Sequence, residues 1–115
     1  LIIVGKSLGA KVAVEYALNN SVEKLILLGY PMTFNTGEIR TERTDKLNSL
    51  DLPINIIQGE FDRYGTKKII STLKFESNIR IDWMDGVTHS YLNDGAKVVA
   101  SDTIEKIKNI VQLNF

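Results

Sequence analysis

The sequence predicts an α/β protein: a mostly parallel sheet of about four strands with flanking helices. Three observations predict it. Short runs rich in Leu, Ile and Val recur near residues 1–4, 22–28 and 54–57, as strands buried on both faces require. Between the first two lies a segment dominated by Ala, Val and Leu, so that strand, helix and strand follow one another at βαβ spacing; such strands are parallel, joined by a right-handed crossover. A fourth run, Asn78 to Met84, alternates apolar and polar residues, the pattern of a strand covered on one side and lying near a sheet edge.

Bulk properties narrow the function classes. A length of 115 residues suits one domain, 1–115, with a single core. Hydrophobic content of 43% and charged content of 24% are those of a globular chain rather than a disordered one. Fourteen Lys and Arg balance 14 Asp and Glu, so no electrostatic pull towards nucleic acid or an anionic membrane is expected, and neither is expected as a partner. No cysteine is present, which removes disulfides, thiolate metal ligands and a cysteine nucleophile and fits a reducing, cytoplasmic setting. No apolar run reaches the length of a membrane span. Because Leu1 already lies inside a strand of the kind that is flanked on both sides, the chain is expected to be the C-terminal part of a longer protein.

The first strand runs into Gly5-Lys6-Ser7-Leu8-Gly9 and straight on into a helix over residues 8–18. G-x-S-x-G between strand and helix is the nucleophile elbow, in which Ser7 occupies a strained turn with its hydroxyl clear of the sheet. Gly5 and Gly9 are expected to let strand end and helix start approach closely. The Leu8 N–H, unpaired at the helix start, is the candidate oxyanion donor. Gly5-Lys6-Ser7 also matches the tail of a phosphate-binding P-loop, but the preceding Leu-Ile-Ile-Val is a strand, whereas a phosphate cradle needs glycines and free N–H groups there. The helix is apolar around most of its circumference and is read as buried beneath the site.

After a second strand within 22–29, Tyr30 to Leu52 reads as a polar connection with a short helix near Asp45 to Leu50, and Arg40 and Arg43 are its candidate contacts for an anionic group. The third strand, Leu52 to Gly59, tolerates Pro53 at its start. Its carboxyl end carries Glu60 and Asp62, and that edge is where open α/β sheets collect functional residues. Asp62 is preferred over Glu60 as the acid that orients a histidine; the alternative is an aspartate that merely stabilises its turn. Thr66 is positioned to cap a helix to about Leu73. His89, the one histidine, falls in the loop after the fourth strand, where a general base for Ser7 is required. A final helix from about Gly95 has Val98, Val99, Ile104, Ile107, Ile110 and Val111 at helical spacing, with Ser101 or Asp102 marking a kink or a fresh N-cap and Glu105 three beyond Asp102 as in a capping box.

Ser7, Asp62 and His89 each follow a strand, in the order serine, acid, histidine. With Gly5-Lys6-Ser7-Leu8-Gly9, Gln58-Gly59-Glu60-Phe61-Asp62 and Gly86-Val87-Thr88-His89 at strand ends, the sequence resembles the α/β-hydrolase superfamily over essentially its whole length. Leu28-Gly29-Tyr30-Pro31 and Arg40-Thr41-Glu42 narrow the resemblance to small hydrolases distantly related to dienelactone hydrolase. The resemblance implies the C-terminal half of an α/β-hydrolase, the last four strands of an eight-stranded sheet. It also implies Ser7 as nucleophile, His89 as general base and then acid, Asp62 as its orienting carboxylate, no cofactor or metal, and a small-molecule ester, thioester or amide as substrate. The second oxyanion donor of the family would precede Leu1, and losing one such donor costs about 10²–10³ in rate. This stretch alone is therefore expected to be weakly active and to self-associate through its open N-terminal strand. A non-catalytic interaction module on the same fold is the alternative reading.

Overall fold

The computed structural model describes residues 1–114. Four parallel strands, β1 (Ile2–Lys6), β2 (Lys24–Leu28), β3 (Ile54–Gly59) and β4 (Ile79–Met84), lie side by side in chain order. Four helices connect or follow them: α1 (Leu8–Asn19), α2 (Thr41–Ser49), α3 (Lys67–Ile70) and α4 (Ser101–Leu113). All four strands point the same way, so their carboxyl ends form one rim.

Strand alternation distributes the apolar side chains over two faces. Leu25, Leu27, Ile54 and Ile56 join Ala10, Ala13, Val14 and Ala17 of α1 and Leu47 of α2 in one core. Ile26, Ile57 and Met84 face the other way and are covered by Val99, Ile107, Ile110 and Val111 from α4 and the segment before it. Every residue of β3 is buried, which explains its unbroken apolar run; β4, at the edge, keeps Ile79, Ile81 and Trp83 on one face and Arg80 and Asp82 on the other. Asn55, the polar residue within β3, donates to Asp82 Oδ2 at 2.8 Å.

Several boundaries differ from the sequence reading for identifiable reasons. The helix expected near Asp45 begins at Thr41, because only Thr44 and Leu47 are buried and the rest of the segment is polar enough to read as loop. The helix capped by Thr66, whose Oγ1 accepts from Ile69 N–H at 3.4 Å, ends at Ile70 rather than Leu73. The last helix starts at Ser101, leaving Val98 exposed outside it; Asp102 accepts from Thr103 N–H, not from a residue three further on. The largest correction concerns α1. Its buried stripe is made of alanines and Val14, while Leu8, Val12 and Tyr16 on the opposite side are 69%, 59% and 44% exposed.

Among the described residues, no helix is long and apolar enough to cross a membrane.

Candidate active site

Ser7 is held from both sides. Its N–H donates to Leu28 O at 2.8 Å, extending the β1–β2 ladder, while its carbonyl accepts from Ala10 and Lys11 and so starts α1. Between these anchors its backbone takes φ 52 and ψ −115, a conformation that costs a non-glycine residue on the order of 1–3 kcal/mol. Such strain persists only where the surroundings over-determine it, and here strand and helix leave the turn no alternative. Gly5 is needed for this: a Cβ there would lie 2.5 Å from Gly9 O. Gly9 is not. Nothing lies within 4 Å of its Cβ position, so the close approach expected of both glycines rests on Gly5 alone.

Asp62 closes the turn after β3 and is completely buried. Its Oδ1 accepts from Tyr64 N–H at 2.9 Å, and its Oδ2 lies 2.7 Å from His89 Nδ1. The two roles weighed for it, turn stabiliser and partner of a histidine, are carried by its two oxygens. Glu60 lies apart from the imidazole and accepts from Gly86 N–H at 2.8 Å, fixing the loop after β4. The opposite ring nitrogen, His89 Nε2, lies 2.7 Å from Ser7 Oγ. Since a carboxylate only accepts, Nδ1–H is the donor to Asp62, and in a neutral imidazole that tautomer leaves Nε2 to accept from the serine hydroxyl. The His89 side chain is 18% exposed and Asp62 is 0%, so the carboxylate is shielded while the imidazole edge reaches a cavity of about 340 Å³ lined by Phe61, Arg63, Thr88, His89 and Ser90. Tyr64 packs edge-on against the imidazole, ring centroids 5.0 Å apart. Leu8 opens α1 beside Ser7, its N–H among those a helix leaves without an internal acceptor.

Arg40 and Arg43 are used otherwise than the sequence suggests. Arg43 donates to Pro31 O at 2.9 Å and Arg40 stacks on Phe34, so both brace the connection between β2 and α2.

Three residues that brace the loops of the site have no role assigned to them by the sequence. Gly29, at φ +68, passes so near that a Cβ would sit 3.3 Å from His89 Cε1. Gln58, fully buried, donates to Gly65 O and Tyr30 O, tying together the loops after β2 and β3. Tyr91, also buried, donates to Ile57 O at 2.7 Å, and burial pushes its phenol well above the ordinary tyrosine range, so it remains a donor. A glycine after a strand and a polar residue within one were the available hints.

A family model described as an alpha/beta hydrolase domain matches residues 1–112. The chain belongs to the alpha/beta-hydrolase family. No curated protein matches this chain significantly. Among solved structures it is similar to an alpha-beta serine hydrolase homologue from Coxiella burnetii, with 18% identity and a TM-score of 0.71 over 99% of this chain and 48% of that one. It is likewise similar to the esterase domain of a Rhodothermus marinus protein, with 14% identity and a TM-score of 0.70 over 96% of this chain and 57% of that one. At such identities the likeness is one of fold. The chain spans about half the length of these two structures.

Proposed function

We propose that this chain carries the catalytic triad of a serine hydrolase that cleaves a small ester, thioester or amide by acyl transfer. The observation that supports it is the continuous relay from Ser7 Oγ to His89 Nε2 and from His89 Nδ1 to Asp62 Oδ2, with both contacts at 2.7 Å, made by residues 82 and 27 positions apart in the chain.

In this reading Ser7 Oγ attacks the substrate carbonyl carbon as its proton passes to His89 Nε2. Asp62 keeps the imidazole in the required tautomer and stabilises the imidazolium; its burial leaves that field unscreened by water. The carbonyl π electrons move onto oxygen, and the Leu8 N–H donates to that oxyanion. Collapse of the tetrahedral intermediate expels the alcohol, thiol or amine, which takes the proton from His89. Water, deprotonated by the same imidazole, then releases the acid and restores the Ser7 hydroxyl. The strained turn at Ser7 aids the first step because it keeps the hydroxyl standing off the strand, where the imidazole edge meets it.

The test is a pre-steady-state assay of the protein containing this chain with p-nitrophenyl acetate. A burst of p-nitrophenol matching the concentration of active sites, and an acetyl adduct on Ser7, are expected; His89→Ala should remove both. A folded protein with neither burst nor adduct would favour a binding module on the hydrolase fold.

A further inference from the structure

Tyr91 lies two residues beyond His89 and is, with Ser7, one of two non-glycine residues with positive φ among the described residues, at 60°. Bulky side chains rarely take this conformation, and they persist in it only where their surroundings enforce it. Here the enforcement is visible. Tyr91 is 4% exposed, packs with Ile26, Ile57, Met84 and Val87, and donates its phenol O–H to Ile57 O at 2.7 Å.

The loop that bears His89 is closed on itself. Thr88 N–H donates to Leu92 O, Tyr91 N–H donates to Thr88 O, and Val87 and Asn93 form a bridge. A loop closed in this way moves as a unit, so the position of the imidazole depends on how that unit is attached to the sheet. Its backbone meets the acid turn where Phe61 N–H donates to Val87 O. Apart from His89 itself, Tyr91 is the one side chain of residues 87–93 that hydrogen-bonds the body of the protein, among the described residues. Its acceptor has a second donor: Gly29 N–H reaches Ile57 O at 2.9 Å, and Gly29 is the backbone that walls the imidazole. One carbonyl of β3 thus gathers the loop beside His89 and the loop that carries it.

We propose that Tyr91 is a positioning residue for the reaction: its buried hydrogen bond to Ile57 O holds the 87–93 loop at the height where His89 Nε2 meets Ser7 Oγ. Released from that carbonyl, Tyr91 is free to relax towards negative φ, and a backbone change two residues from His89 swings the imidazole out of line. The inference rests on the hydrolase reading, and its test distinguishes the two.

In the protein containing this chain, Tyr91→Phe removes the hydroxyl alone, and Ile57 O keeps the Gly29 N–H, so no buried carbonyl is left bare. With p-nitrophenyl acetate, kcat is expected to fall about tenfold or more, since displacing a reacting group by about 1 Å costs up to about a hundredfold. KM should stay within about twofold, because the substrate contacts are untouched. The proton NMR signal of the His89 Nδ1–H, sheltered by Asp62, should broaden or vanish. Tyr91→Asn, a residue type that tolerates the left-handed backbone, should lose the same activity. Wild-type kcat together with an unaltered ring signal in Tyr91→Phe would overturn the proposal. Unfolding of both variants would overturn it too, assigning Tyr91 to the core alone. If the wild type cleaves no ester, the hydrolase reading fails by itself, and the ring signal still decides: unchanged in Tyr91→Phe, the latch is wrong; lost, it stands.

Discussion

The carboxyl-terminal rim of the sheet and its β1 flank differ both in the residues they use and in how those residues are held. At the rim, strain and polar side chains are tightly compensated: Ser7 is pinned between Leu28 O and its own helix, Asp62 uses both oxygens, and Tyr91 is tied to Ile57. Along the flank, Leu1 and Val4 of the β1 region and Leu8, Val12 and Tyr16 of α1 are large apolar residues that are 44% to 69% exposed. The precision of the candidate site thus comes from backbone carbonyls and buried polar partners, whereas the apolar side chains of the flank fix no such geometry.

The comparison breaks first at the rim. Asp62→Asn should lower kcat by about 10⁴, because an amide can donate to Nδ1 and thereby favours the wrong tautomer; steady-state kinetics on protein shown to be folded by circular dichroism measures this. Next comes Gly5→Ala. With its Cβ 2.5 Å from Gly9 O, strand and helix must separate, and a loss of about 2–4 kcal/mol is expected from urea unfolding. At the flank the effects are smaller. Val12→Lys combined with Tyr16→Lys, at positions 59% and 44% exposed, should leave stability in urea unfolding within about 0.5 kcal/mol. Gly9→Ala sharpens the contrast most finely: it lies in the same motif as Gly5 but its Cβ position is open, so a gain of up to about 1 kcal/mol is expected from helix propensity.

Much of this was legible in the sequence because the relevant signals are local. Each strand is announced by its own β-branched or leucine-rich run, and the parallel order follows from helices lying between them. Ser7, Asp62 and His89 could be picked out because each directly follows a strand, where the rim must be. Less legible were features set by tertiary packing. The start of α2 at Thr41 is hidden by its charged residues, since two buried positions suffice to hold it and Glu42 and Lys46 lie at helical i, i+4 spacing. The exposure of Leu8, Val12 and Tyr16 could not be read from helix amphipathicity, because both sides of α1 are apolar and only the sheet decides which is covered. The roles of Tyr91 and Gly29 were not legible: a left-handed tyrosine is imposed by its anchor, not by its residue type, and Gly29, though part of a recognisable motif, packs against a histidine 60 positions away (89 − 29).

Whether Ser7 is an activated nucleophile decides the proposed function, and a fluorophosphonate probe asks this directly, because it reacts covalently only with a serine whose proton a neighbouring base can take. Incubation of the protein containing this chain, followed by peptide mapping of the adduct, should place the phosphonyl group on Ser7 and show none in Ser7→Ala. A folded protein that takes no label, or one that is labelled equally after Ser7→Ala, would contradict it.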